Sequence, residues 1–325
     1  MNQTFDALNR FIERGTRFLV VSHLNPDGDA IGSTLAMGYA LRKLGKEVTM
    51  VNESPVPDKF LFLPGADEIR LPEEVDGMFD TVIALDCADR ARIGTAVNLF
   101  AESARVANVD HHVTNDLFGD VNVVVPRAAA TAEILFDWID GGAVDWDDAL
   151  AGTVYTGLLT DTGGFRYSNA TPAVFRKAAK LVETGAHAHR IADLVLETLT
   201  MEQIRLIRIA LSSLQRSEDG KIAWIRLRRE DFEQSGQSRQ DVDGIVNYAR
   251  NIIGVDVGIL IRESDAGSVK VSLRSRERVD VGKIAKELGG GGHARAAGFT
   301  ARGTLDEVEQ MILQHVRAEL GRDGQ

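Results

Sequence analysis

The sequence predicts an α/β chain in three stretches. A mostly parallel sheet flanked by helices occupies residues 1–190, a helical linker residues 191–216, and a smaller α/β part residues 217–325. Three observations carry this. Short apolar runs alternate with helical patterns through the first 190 residues, the signature of parallel strands joined by helical crossovers. Strand signals fade between Thr171 and Gln215. They resume after the turn Ser217-Glu218-Asp219-Gly220. A chain of 325 residues can build two cores of ordinary size.

The elements follow in order. Phe18-Leu19-Val20-Val21 opens a strand at 18–22, followed by a helix at 30–44 and a strand at 47–51. Thr81-Val82-Ile83-Ala84-Leu85 is a continuous run suited to burial on both faces, and 104–109 is a further strand. Residues 120–125 alternate and read as an edge strand, and helices follow at 129–139 and 147–160. Residues 201–211 place apolar side chains at helical spacing with charges between them, which reads as a connecting helix between lobes. The second part then offers a strand at 222–227, a helix at 242–251, strands at 255–262 and 268–274, and helices at 281–288 and 305–320.

Composition narrows the function. Hydrophobic residues make up 44% and charged residues 26%, as in soluble globular proteins. No apolar run approaches the ~20 residues of a membrane span. Residues 1–16 carry Asp6 and Glu13 and lack the apolar stretch of a secretory leader. The lone Cys87 excludes an intramolecular disulfide and suits a reducing compartment, so the expected location is the cytoplasm. A net charge of −11, from 37 Lys plus Arg against 48 Asp plus Glu, argues against coating long duplex DNA. It leaves room for a small anionic substrate held by local cations.

The chemistry concentrates at element ends. His23-Leu24-Asn25-Pro26-Asp27-Gly28-Asp29 places an imidazole and two carboxylates where a strand gives way to a helix, the edge at which ligands bind in open α/β sheets. Asp86 ends the strand at 81–85, Asp110-His111-His112 follows the strand at 104–109, and Asp161 closes a helix before Thr162-Gly163-Gly164. One acidic residue at such a place is commonly an N-cap or turn residue. Four segments, two with histidine, point to a metal centre. Carboxylate and imidazole donors without cysteine suit Mn²⁺ or a similar divalent ion and disfavour structural zinc. Asn25 reads as a residue that shapes the turn.

In the second part, Gly289-Gly290-Gly291-Gly292-His293 forfeits backbone entropy unless unusual φ values or close backbone approach are required. With Arg274, Arg276, Arg278 and Arg295 nearby, it reads as an anion cradle of backbone amides and cations. Arg276 and Arg278 by themselves read as a solvated face. His187 and His189 read as a surface helix start, and Trp138, Trp146 and Trp224 as packing residues.

Together these motifs resemble the DHH/DHHA1 phosphoesterase family. The match rests on His23-x-Asn-Pro-Asp27-Gly-Asp29-Ala-x-Gly-Ser, Asp86, Asp110-His111-His112, Asp161 and Gly289 through His293. Within the family the likeness is to small bacterial enzymes that trim short RNAs and remove the 3′-phosphate of 3′-phosphoadenosine 5′-phosphate. Supporting stretches are Gly157 through Asn169 and Val271-Ser272-Leu273-Arg274-Ser275. The resemblance implies a pair of Mn²⁺ ions, with Mg²⁺ or Co²⁺ as substitutes. His23, Asp27 and Asp86 would hold one, and Asp29, Asp86, His111 and Asp161 the other, with Asp86 bridging. His112 would face the scissile phosphate as hydrogen-bond donor or proton source, or else support a ligand, and Asp110 would orient a neighbouring histidine. Arg274 and His293 would take a terminal phosphate, assisted by Ser275, Gly291 and Gly292. Arg262 would stack on a base or pair with phosphate, or be an ordinary strand-end charge. The implied partners are short RNA and 3′-phosphoadenosine 5′-phosphate, without a membrane, and a homodimer is expected. The rival readings are a phosphodiesterase for cyclic or linear dinucleotides, a pyrophosphatase, and a nucleotide-binding regulator without hydrolysis.

Overall fold

The computed structural model describes residues 2–237, 242, 244–264 and 267–322. The chain divides into two compact units, Met1–Thr198 and Leu199–Gln325.

The first unit opens with helix α1 (Asn2–Arg14) and then alternates β1 (Arg17–Val21), α2 (Gly28–Lys43), β2 (Glu47–Val51), β3 (Phe79–Leu85), β4 (Phe100–Asp110) and β5 (Val121–Val124). Helices α3 (Thr131–Trp138), α4 (Asp148–Asp161), α5 (Pro172–Thr184) and α6 (Ala188–Ala192) complete it. The five strands form one sheet in the order β2-β1-β3-β4-β5, each pair parallel, with β5 at the edge as its alternation predicts. In β1, Phe18 through Val21 are fully buried, which explains why this strand reads as an unbroken apolar run. Residues 52–78 lack strands and include only short 3₁₀ turns.

The chain leaves β1 for β2 on one side and crosses back to β3 on the other, so the order reverses between β1 and β3. That reversal opens a crevice at the carboxyl edge of the sheet. The ends of β1, β3 and β4 lie side by side there, since Val21 pairs with Ala84 and Leu85 with Val109.

The second unit comprises α7 (Met201–Ser212), β6 (Gln215–Arg216), β7 (Ile222–Leu227), α8 (Arg229–Ser235), α9 (Ile245–Arg250), β8 (Val257–Glu263), β9 (Ser268–Ser275), α10 (Val281–Glu287), β10 (Gly291–His293), β11 (Ala296–Arg302) and α11 (Leu305–Arg322). Its six strands run β10-β11-β9-β8-β7-β6, with only β7 and β8 parallel. The helix anticipated at 242–251 spans Ile245–Arg250, and residue 243 falls outside the described residues.

Three sequence expectations change here. The linker drawn at 191–216 is split by the division after Thr198. Helix α7 belongs to the second unit, where Leu206 and Ala210 are buried in one core with Ala223, Ile225 and Leu227. The glycine run is not a single loop: Gly291 and Gly292 enter the edge strand β10, while Gly289 and Gly290 precede it. Gly289 and Gly292 have φ of 79° and 134°, and a Cβ on Gly290 would lie 2.2 Å from the Gly298 carbonyl oxygen. Close backbone approach to β11 therefore accounts for Gly290 and Gly292, and positive φ for Gly289, whereas Gly291 has nothing within 4 Å of a Cβ position. Arg276 is more than a solvated charge, because it donates to the Arg250 and Asn251 carbonyls at the end of α9.

Candidate metal centre

The acidic and imidazole residues singled out in the sequence converge at the carboxyl edge of the first sheet. Asp27 is the N-cap of α2: its side chain accepts from the amides of Asp29 and Ala30 at 3.0 and 3.1 Å. The helix thus starts at Gly28, which puts Asp29 in its first turn and fully buried. Asp86 follows β3 with φ +57°, a left-handed conformation that a non-glycine residue adopts at a cost and that clusters at functional sites. Asn25, with φ +54°, shapes its turn in the same way.

The distances define three overlapping sets. His23 Nε2 lies 3.9 Å from Asp27 and 3.5 Å from Asp86. His111 Nε2 lies 3.9, 3.6 and 3.2 Å from Asp29, Asp86 and Asp161. One donor atom from each of His23, Asp27 and Asp86 falls within 4.8 Å of the others, as for Asp29, His111 and Asp161, and again for Asp86, His111 and His112. Asp86 stands between the groups.

Neighbouring oxygens orient the imidazoles. His23 Nδ1 lies 2.9 Å from the Leu24 carbonyl, and His111 Nδ1 lies 3.3 Å from that of Ala128. A carbonyl only accepts, so each Nδ1 carries the proton and each Nε2 faces the carboxylates, the arrangement found at metal-ligating histidines. His112 Nδ1 donates to Asp110 Oδ1 at 2.7 Å, and Asn115 holds the other Asp110 oxygen at 2.7 Å.

Burial and mutual charge set the protonation of the cluster. Burial drives the Asp29 carboxyl well above its ordinary range, and Asp86 and Asp161 push the same way. Burial, opposed by the His111 hydrogen bond and aided by Asp27 and Asp86, raises Asp161 to about 6. Burial alone would lower His23. Its hydrogen bond to Asp86 and the charges of Asp27 and Asp86 instead raise it to about 9. Burial of His111 is likewise outweighed by Asp161, Asp86 and Asp29, which raise it to about 11. Asp86 itself, despite burial, is held low by His23 and the other two imidazoles. Among the described residues the groups at ion-pair distance from Asp29, Asp86 and Asp161 are His23, His111 and His112, and the raised His23 and His111 set positive charge beside the carboxylates. Oxygen and nitrogen donors around buried carboxylates fit a divalent ion, and these groups can hold one.

One segment without a ligand side chain organises the site, and the sequence reading missed it. Ala128 accepts from His111, the amides of Thr131 and Ala132 donate to Asp29 at 2.6 and 2.9 Å, and the Thr131 hydroxyl donates to Asp86 at 3.0 Å. Asn169 spans the Ala129 and Asp161 carbonyls. Gly157 makes room, since a Cβ there would lie 2.5 Å from Ala132 Cβ and 2.7 Å from Asp29 Oδ1. Asn108, fully buried within β4, was a readable signal: a polar side chain inside a strand must find partners, and it bonds Ala84 and Cys87 carbonyls.

In the second unit, strand register sorts the remaining candidates. His293 and Arg274 both pair with Ala296 across β11, so they share one face of the sheet. Arg262 shares that face by alternation but pairs with Lys270, four residues along β9 and about 13 Å from the Arg274 row. Ser275 alternates to the opposite face, its hydroxyl donating to the Ala294 carbonyl at 3.2 Å. Gly291 and Gly292 lie in β10 beside His293. His187 caps the start of α6 and His189 lies in it, apart from either site, as their surface reading anticipated.

A parallel sheet whose crevice edge gathers paired carboxylates and imidazoles, joined to a smaller mixed sheet, defines a class of phosphoesterases. The chain belongs to the DHH family: residues 17–158 match the DHH family N-terminal domain and residues 219–321 the DHHA1 domain. It is 40% identical to the bifunctional oligoribonuclease and PAP phosphatase NrnA of Thermus thermophilus, over 94% of this chain and 90% of that protein. The Bacillus subtilis protein of the same name is 25% identical over 89% of this chain and 90% of its own length. The crystal structure of an exopolyphosphatase-related protein from Bacteroides fragilis superposes with a TM-score of 0.91 at 28% identity. That match covers 100% of this chain and 98% of the other.

Proposed function

We propose that this chain is a two-metal phosphoesterase that hydrolyses short oligoribonucleotides to nucleoside 5′-monophosphates and converts 3′-phosphoadenosine 5′-phosphate to AMP. The observation that carries the reading is the convergence of His23, Asp27, Asp29, Asp86, His111 and Asp161 at one sheet edge. The 40% identity to a relative bearing both activities in its name supports the substrates. His23, Asp27 and Asp86 would hold one ion, and Asp29, Asp86, His111 and Asp161 the second. Mn²⁺ is the preferred occupant for mixed carboxylate and imidazole donors, with Mg²⁺ or Co²⁺ as substitutes. When bound, such a pair supplies an activated water and charge stabilisation at phosphorus.

The protein's own residues then divide the work. Thr131 and the α3 amides keep Asp86 and Asp29 pointed inward. Asp110 holds His112 through Nδ1 and so directs Nε2 to deliver a proton to the departing 3′-oxygen. Arg274 and His293, on one face of the second sheet, would take the 5′-terminal phosphate, with Ser275, Gly291 and Gly292 shaping the strands around them. Arg262 would take a more distant phosphate or base. This reading places the protein in the cytoplasm, consistent with its one buried cysteine. No helix among the described residues is long and apolar enough to cross a membrane. Exposed Met201, Ile204 and Leu211 on α7 support a homodimer.

The test is product analysis with Mn²⁺, using 5′-labelled RNA of two to five nucleotides alongside 3′-phosphoadenosine 5′-phosphate, with Asp86→Ala as control. Mononucleotides and AMP from the wild type alone are the expected result. No turnover of either substrate removes the assignment and directs attention to cyclic dinucleotides.

A further inference from the structure

The loop after Asp161 is built more tightly than a connection requires. Gly163, Gly164 and Phe165 take φ of +58°, +71° and +59° in succession, and the last is a bulky residue held in a left-handed conformation. The Thr162 hydroxyl accepts from the Phe165 amide at 3.0 Å, and the Thr162 carbonyl accepts from both Arg166 and Tyr167. Arg166 Nε donates to the Gly163 carbonyl. Asn169 closes the loop by donating to the Asp161 carbonyl at 3.1 Å. Phe165 points inward between the rings of Tyr155 and Phe175, with centroids at 5.8 and 5.4 Å.

Tyr167 does the opposite. Its ring lies over Gly163 so closely that a Cβ there would sit 2.3 Å from the ring, yet the residue stays 42% exposed. A rigid loop that begins at a candidate metal ligand therefore displays an aromatic side chain to solvent, next in sequence to Arg166, whose Nε is tied to the loop's own backbone. A chain of net charge −11 cannot draw a second nucleotide in by a broad cationic field. Base stacking is the sequence-tolerant alternative, and a preorganised ring loses little entropy in providing it.

We infer that Tyr167 is a stacking platform for the nucleobase on the 3′ side of the scissile phosphate, and so sets the preference for oligonucleotide over mononucleotide substrates. The inference rests on the phosphoesterase reading above and deepens it. In both reactions the water oxygen bonds to phosphorus, the phosphorus–O3′ bond breaks, and O3′ leaves with a proton. A 5′-phosphorylated diribonucleotide yields two 5′-monophosphates, the second keeping the attacked phosphorus. With 3′-phosphoadenosine 5′-phosphate that phosphorus leaves as inorganic phosphate, and no downstream base exists to stack.

The experiment measures kcat and KM of the Mn²⁺-loaded full chain for a 5′-phosphorylated diadenylate, the same dinucleotide with an abasic downstream residue, and 3′-phosphoadenosine 5′-phosphate. Tyr167→Ala is expected to lower kcat/KM on the diadenylate roughly tenfold, mainly through KM, while 3′-phosphoadenosine 5′-phosphate turns over within about twofold of wild type. Tyr167→Phe should keep the wild-type pattern, and the abasic substrate should erase the difference between wild type and Tyr167→Ala. Equal loss on all substrates, or no loss on the diadenylate, overturns the platform and leaves the phosphoesterase reading standing. A wild type inert toward every substrate overturns both, and is recognised without any variant.

Discussion

His112 and His111 are adjacent in sequence and differ in what surrounds them. His111 points Nε2 at three carboxylates, whereas His112 is tied through Nδ1 to Asp110, itself fully buried and held by Asn115. The proposed ligand His111 and the proposed proton donor His112 should fail differently. His112→Ala is expected to lower kcat by about 10² to 10⁴ with Mn²⁺ binding retained, and His111→Ala to remove bound metal along with activity. Calorimetric titration of Mn²⁺ into both variants separates them, and loss of an ion from His112→Ala would make that residue a ligand. Thr131 offers a finer test. Its hydroxyl is 3.0 Å from Asp86 Oδ1, and Thr131→Val keeps the shape while leaving that buried oxygen one donor short. Such supporting partners are worth about 10- to 100-fold in metal affinity, so Thr131→Val should weaken Mn²⁺ binding by that order and Thr131→Ser should restore it. Unchanged affinity in the valine variant would show that the hydroxyl does not support the site.

At the scale of elements, the site exists because α2, α3 and α4 meet at one carboxylate. The start of α3 donates two amides to Asp29 from α2, and α4 contributes Gly157, where any Cβ would meet both Ala132 and Asp29. Alanine is normally the better helix residue by about 1 kcal/mol, yet overpacking a tight core costs about 1–3 kcal/mol. Gly157→Ala is therefore expected to destabilise the chain by about 1 kcal/mol and to reduce Mn²⁺ affinity by displacing Asp29; thermal melting and metal titration together check this, and a stabilised variant with intact affinity would refute it. The same junction explains what could be read in advance. The six candidate ligands were legible because each lies at the start or end of an element, and such boundaries announce themselves through apolar runs and caps. The support from Ala128 to Ala132 was not, since its work is done by backbone amides and carbonyls that carry no residue signature. Helix α1 was legible and overlooked: Leu8, Phe11 and Ile12 have helical spacing and are buried. Strand β11 was hidden for another reason. Ala296-Ala297-Gly298 has little strand propensity, and pairing with β9 and β10 decides its conformation. Strand β10 was hidden likewise, since glycine carries no strand propensity of its own.

For the whole molecule, the buried charge at the candidate metal centre couples stability, metal and pH. Without an ion, His23 and His111 are pushed up to about 9 and about 11, so both imidazoles hold protons at neutral pH. A cation occupying the site must displace those protons, because an imidazolium nitrogen has no lone pair to offer. Binding therefore releases protons, and apparent affinity rises with pH below those values, roughly tenfold per pH unit for each proton released. The Asp161 carboxyl, raised to about 6, adds to the same trend at lower pH. An ion that binds the folded chain and not the unfolded one stabilises it by about 2.7 kcal/mol at a hundredfold excess over Kd. Chelation should accordingly lower the melting temperature, and a fixed Mn²⁺ concentration should restore it more fully at pH 8 than at pH 6. Mn²⁺ titration calorimetry in buffers of different ionisation enthalpy reads the proton count directly. Release of at least two protons per chain at pH 7 is expected with both imidazoles ligating; heats independent of the buffer would mean that the imidazoles are neutral before metal arrives, and would remove the link between the buried carboxylates and the pH response.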